Sequence, residues 1–118
     1  MAGPRRQDPL VIVRARHPAD DGAIVALNDG AFGGSYESHL IGRLRVADLA
    51  AIELVATDGA AIVGHILFSA LPVTVEQRAV RALALAPMAV APGRQRHGIG
   101  SALVRAGLDQ ARRQHWQA

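Results

Sequence analysis

Apolar runs alternate with short polar breaks along the chain, and the period of each run names an element. Leu10 to Arg16, "LVIVRAR", is β-branched and then alternates, which predicts a strand. "HPADDGAIVALNDGAF" follows: Asp20 or Asp21 can cap a helix carrying Ile24, Val25 and Leu27, and Gly30 weakens its end. A Gly-Gly loop opens "GGSYESHLIGRLRVA", where Leu40, Ile41 and Leu44 at helical spacing predict a second short helix. "AAIELVATDGAAIVGHILFSALPVTV" reads as two strands joined at "TDGA", because Asp-Gly between apolar runs is a strong hairpin signal. Glu76 to Arg78 make a second polar break. "AVRALALAPMAVAP" then reads as a strand ending at Pro92; Pro87 has no N–H to donate, so a bulge or an edge is expected there. From Gly98 a helix places Ile99, Leu103, Val104, Gly107, Leu108 and Ala111 on one half of its wheel. Arg105, Asp109, Arg112 and Arg113 fall on the other half.

The order is strand, helix, helix, three strands, helix. Adjacent strands between helices imply a mixed α+β fold with antiparallel hairpins rather than a βαβ array. No repeat or linker divides residues 1–118, which read as one domain with a flexible N-terminus over residues 1–9.

Composition narrows the chemistry. The chain has 118 residues, enough for one core but not two. With half of the residues hydrophobic and only 3% aromatic, that core must be aliphatic. The absence of cysteine excludes disulfides and a thiol nucleophile. No apolar run is long enough to span a bilayer, and no leader pattern follows "MAGPRRQDP", so a cytoplasmic protein without membrane partners is expected. The five histidines show no metal-ligand spacing, so no metal is expected. All thirteen basic residues are arginine and the net charge is +3. Arg94, Arg96, Arg105, Arg112 and Arg113 gather late in the chain, which keeps a basic nucleic-acid binder as an alternative. Scarce aromatic side chains and the lack of a recognition motif argue against it.

"GRQRHGIGSALV", residues 93 to 104, carries the most specific signal. A helix N-terminus has unpaired N–H groups and a partial positive charge. Glycines there admit a ligand to the backbone and arginines add donors, which together suit a phosphate or pyrophosphate. The structural alternative is a solvated helix start. The lysine of a P-loop is missing, and Leu103 stands where a dinucleotide fingerprint needs its third glycine.

Gln95-Arg96-His97-Gly98-Ile99-Gly100 fits Q/R-x-x-G-x-G/A and resembles the pyrophosphate loop of the GNAT superfamily of acetyl-CoA-dependent N-acetyltransferases. "ALAPMAVAPGRQRHGIGSALV" resembles that family's central strand, loop and helix, and "VGHILFSAL" its preceding strand in a bacterial branch. The resemblance runs from about Val11 onward. It implies that the main chain of Met88, Ala89 and Val90 pairs with the pantetheine arm of acetyl-CoA where the strand bulges. It implies that the Val90 N–H stabilises the tetrahedral oxyanion, and that Gln95, Arg96, His97, Gly98, Ile99 and Gly100 wrap the pyrophosphate with Ser101 close by. Arg94 and Arg96 would supply charge. The reaction would be direct attack of a primary amine, on a small molecule or a peptide, on the thioester.

The same resemblance implies a further strand and helix beyond the pyrophosphate-loop helix. The chain stops at "RRQHWQA", so the expectation is an incomplete domain with an exposed sheet edge, prone to homo-oligomerise or serving as an inactive acyl-CoA-binding or interaction module. Acid–base groups are less defined. Glu53, in a predicted strand, can relay a proton through water as a base, or simply face outward. His65 is a base candidate or a structural strand histidine. Tyr36 and Glu37 fall in the region that shapes the acceptor site, with His39 nearby in sequence.

Overall fold

In a computed structural model, residues 11–116 are described. The expected flexible N-terminus lies outside them. The elements are β1 (Val11–Ala15), α1 (Asp21–Phe32), α2 (Tyr36–Val46), β2 (Ala50–Asp58), β3 (Ala61–Val75), β4 (Arg78–Val90) and α3 (Ile99–Arg113). Short 3₁₀ turns, Pro18–Asp20 and Pro92–Arg94, precede α1 and α3. The order read from the hydrophobic pattern is the order observed.

The strands form one antiparallel sheet in the order β1-β2-β3-β4. At the β2–β3 hairpin Asp58 pairs with Ala61, so the loop residues are Gly59 and Ala60, with Gly59 at φ 61°. A positive φ at the first loop residue alone is the type II′ pattern, which glycine adopts without strain. The β3–β4 turn is Glu76-Gln77, and both residues have positive φ, 49° and 66°. That is type I′ geometry built without Asn or Gly. β2 pairs with β3 only as far as Ser69, so Ala70–Val75 and Arg78–Leu83 continue as a two-stranded arm.

Each face of the sheet buries its own layer. Ile52, Leu54, Ile66, Phe68 and Leu83 pack with Ile99, Leu103 and Ala111 of α3. Val55 and Leu67, pointing the other way, pack with Ile24 of α1 and Ile41 of α2. Val25, grouped with the helix core by its spacing, is exposed. α1 does not stop at Gly30. It runs to Phe32 and ends at Gly33, φ 76°, whose N–H bonds to Asp29 O at 2.9 Å. Asp20 takes the N-cap position, but its carboxylate turns back to accept from His17 N–H at 2.8 Å and from Arg14.

Pro87 produces the expected break. Ile66 pairs with Met88 and Phe68 with Leu85, so β4 carries an extra residue at Ala86–Pro87. The bulge therefore falls just before Met88 rather than on it.

Candidate functional site

The site grows out of the end of β4. Ala91 N–H donates to Val63 O at 2.9 Å. Successive residues of an antiparallel strand point their polar groups to opposite sides. Val90, paired with Gly64, therefore turns its N–H and C=O away from β3, toward the outer edge of β4. Gln95 Nε2 meets the Val90 carbonyl on that side at 3.3 Å. Among the described residues no strand lies beyond β4.

The chain then makes a tight loop. Arg96 adopts φ 71° and Gly98, the N-cap of α3, φ 80°. The first helical bond runs from Ala102 N–H to Gly98 O at 3.0 Å. The N–H groups of Ile99, Gly100 and Ser101 precede it and have no acceptor within the helix. Those of Gly100 and Ser101 belong to the lining of a cleft of about 530 Å³, with Met88, Val90, Gln95, Arg96, Gly98, Val104 and Arg105. Met88 and Val90 face α3 here: a Cβ on Gly100 would lie 3.4 Å from Met88 Cε and 3.9 Å from Val90 Cγ2. The cleft thus offers unpaired N–H donors, two guanidinium groups and an apolar floor, which suits an extended phosphorylated ligand with an uncharged arm.

Most of the residues singled out by sequence meet at this cleft, with instructive exceptions. Ile99 buries its side chain in the core and can offer only its N–H. Ala89 is buried on the opposite face of the sheet and likewise offers only main chain. His97 lies against a separate hollow with Val11 and Val13, on the β1 side of the loop. Arg94 does not turn to the cleft; it is ion-paired with Asp58 at the end of β2 and so ties the loop to the sheet. Arg112 pairs with Asp109, so the late arginines do not form one free basic surface. Tyr36 and Glu37 begin α2 and belong to the other layer, Tyr36 being 67% exposed.

Glu53 departs furthest from an outward-facing strand residue. Its side chain is only 7% exposed. Arg45 donates to both of its oxygens, at 3.1 and 2.6 Å, and His65 Nε2 lies 2.7 Å from Oε2. Burial pushes the Glu53 carboxyl up, but the bonds from His65 and Arg45 outweigh it and hold the group at about 2. A carboxylate so held is a poor proton acceptor by itself. Asp20, bonded by Arg14 and His17 N–H, is likewise held well below the usual carboxylate range. The partners of Glu53 come from α2 and β3, so sequence spacing gave no sign of them.

The Acetyltransferase (GNAT) family model matches residues 13–118. A GNAT family acetyltransferase from Brucella melitensis, in complex with acetyl-CoA, is 33% identical with a TM-score of 0.78, over 86% of this chain and 68% of that one. A GNAT family N-acetyltransferase (YhbS) from Escherichia coli, in complex with CoA, is 28% identical with a TM-score of 0.83. That match covers 98% of this chain and 62% of the Escherichia coli chain, so this sequence spans about two thirds of these structures. An aminoglycoside acetyltransferase from an uncultured soil metagenomic sample, in complex with sisomicin, is 18% identical over 95% of this chain and 76% of that chain, with a TM-score of 0.75, and shares the fold alone. No curated protein matches the sequence.

Proposed function

The chain belongs to the GNAT family of acetyltransferases, and from that premise we propose that it binds acetyl-CoA in the α3 cleft and passes the acetyl group to a primary amine. The observation that carries the reading is the cleft itself. It sets free N–H groups of a helix N-terminus beside a strand edge that presents one more outward N–H, that of Val90.

In this reading the diphosphate rests on the N–H groups of Ile99, Gly100 and Ser101, within reach of Arg96 and Arg105. The pantetheine arm runs along the outer edge of β4 and bonds to main chain at Met88 and Val90. When the amine nitrogen attacks, the carbonyl oxygen gains negative charge. A fixed N–H from Val90 stabilises that charge more than it stabilises the neutral thioester, which is what lowers the barrier. Attack is direct, with no covalent enzyme intermediate. Tyr36 and Glu37, at the α1–α2 turn, flank the approach of the amine.

Titration of acetyl-CoA into the chain by calorimetry tests the first half, with micromolar affinity expected. Thiol release from acetyl-CoA with a panel of small amines and peptides tests the second. A folded chain that binds no acetyl-CoA refutes the proposal.

A further inference from the structure

Arg94 and Asp58 join the loop between β4 and α3 to the sheet. Arg94 ends the short turn Pro92–Arg94, and its side chain is ion-paired with Asp58, the last residue of β2. Asp58 is a firm base for such a tie, because it pairs with Val11 of β1 on one side and with Ala61 of β3 on the other. Of residues 92–98, only Arg94 is partly shielded from solvent; the rest are exposed.

The loop needs the tie. Its main chain is bonded at the entrance, where Ala91 N–H donates to Val63 O at 2.9 Å and Arg94 N–H to Ala91 O at 2.8 Å. It is bonded again at Gly98 O, which accepts from Ala102 N–H at 3.0 Å. Among the described residues no main-chain bond holds residues 95–97 between those points. Within that gap Arg96 has φ 71°, a conformation that a residue with a Cβ keeps only when its surroundings impose it. Two side chains supply the constraint. Gln95 Nε2 bonds to Val90 O at 3.3 Å, on the very edge that the pantetheine arm uses in the reading above. The Arg94–Asp58 pair lies away from that edge, at the hairpin end of β2, and so is compatible with a loaded cleft.

We propose that Asp58 and Arg94 are positioning residues for acetyl-CoA: their ion pair keeps residues 95–98 in the binding-competent shape, with Arg96 at the cleft, before the cofactor arrives. The inference rests on the acetyl-CoA reading above. Neither Asp58 nor Arg94 lines the cleft. A protein whose competent state is only partly populated loses apparent affinity in proportion to that fraction. The sign of the effect separates positioning from simple charge. Acetyl-CoA is a polyanion, so removing a carboxylate near the loop, and releasing Arg94 from it, strengthens binding if Coulomb attraction alone counts. If the pair positions the loop, the same change weakens binding.

¹⁵N relaxation of the whole chain reads the loop without any ligand. Order parameters for residues 95–98 are expected near the rigid-backbone value of about 0.85 in wild type. In Asp58→Asn they are expected to fall below it while the strands stay unchanged; equal values in both proteins overturn the proposal. Calorimetry with acetyl-CoA reads the consequence. D58N keeps the size of the side chain and is expected to bind about three- to ten-fold more weakly than wild type. Unchanged or tighter binding overturns the proposal and leaves the acetyl-CoA reading standing, whereas a wild-type chain that binds none removes both. Arg94→Gln guards against a misfolded D58N, since it leaves the hairpin untouched; it must loosen residues 95–98 in the same way, and a loop as rigid as in wild type overturns the proposal. The double variant D58N/R94Q is expected to bind as R94Q does, because one pair is broken once, and independent, additive effects overturn the coupling. For an amine that wild type acetylates, KM for acetyl-CoA is expected to rise in D58N by the factor seen in calorimetry, with kcat unchanged. A fall in kcat with KM unchanged overturns the positioning role.

Discussion

Gly107 of α3 rests on the edge of the Phe68 ring so closely that a Cβ there would stand 2.1 Å from Phe68 Cε1. Phe68 is itself buried on β3. The contact sets how near α3 lies to the sheet, and therefore where its N-terminus meets β4. Gly107→Ala would ordinarily favour a helix by roughly 1 kcal/mol. Here the overlap dominates, and a net loss of about 1–3 kcal/mol is expected. Urea unfolding followed by circular dichroism measures it; an unchanged midpoint would mean the helix can shift at little cost.

Gly100 tests the cleft without touching the core. Its missing side chain faces Met88, at the floor of the cleft. Gly100→Val should leave the fold intact and weaken acetyl-CoA by at least about ten-fold, or roughly 1.4 kcal/mol. Titration calorimetry on the folded variant gives the answer, and wild-type affinity would move the cofactor elsewhere.

Acid should reveal the buried ion pairs. Glu53 is held at about 2 in the fold against an ordinary value of 4.5. A depressed carboxyl stabilises the fold above its unfolded value and loses that contribution as pH falls toward its folded one. At pH 7 wild type is expected to exceed Glu53→Gln in stability by about 3 kcal/mol, with the gap closing as pH falls from the usual glutamate range toward 2. Asp20 adds a loss in the same direction to both proteins. Paired denaturant curves across that range check it, and a gap constant with pH would contradict the assignment.

The β3–β4 turn carries strain that can be relieved. Glu76 and Gln77 both occupy the left-handed region, at a cost of roughly 1–2 kcal/mol per residue. Replacing the pair by Asn-Gly should raise stability by about 1–2 kcal/mol. Thermal unfolding reads the gain, and acetyl-CoA affinity should not move because the turn is remote from the cleft.

Among the described residues no strand covers the outer edge of β4, and Leu85 is exposed on that strand. Such edges recruit further strands. Concentration-dependent self-association is expected, visible by light scattering from micromolar to millimolar chain. A monomer throughout that range would show that the bulge at Ala86–Pro87 protects the edge.

Hydrophobic period, turn residues and the glycine loop made the element order, the hairpins, the β4 break and the cleft residues legible in the sequence, because each is a local signal. What escaped was non-local. Nothing near Glu53 in sequence announces Arg45 or His65, which reach it from another helix and another strand. Arg94 reads as a phosphate ligand beside Arg96, yet its partner Asp58 lies on β2. Gly107 falls on the apolar half of its helix by period, but only the docking of α3 shows how closely it and Gly64 of β3 are packed. Val25 satisfies the helical period but sits at the margin of the buried stripe.

The arm formed by Ala70–Val75 and Arg78–Leu83 has a mechanical consequence. It helps stretch the molecule to 60 × 29 × 22 Å, with a radius of gyration of 15.3 Å, against about 13.5 Å for a compact chain of this length. Two strands form it, anchored at its base by Leu83 in the core and steadied where Arg81 stacks 4.2 Å over the Trp116 ring. Its amide protons should therefore exchange ahead of those in the four-stranded part. The register break at Ala86–Pro87 lies between this fraying ribbon and Val90, so the arm can breathe while the end of β4 keeps its aim.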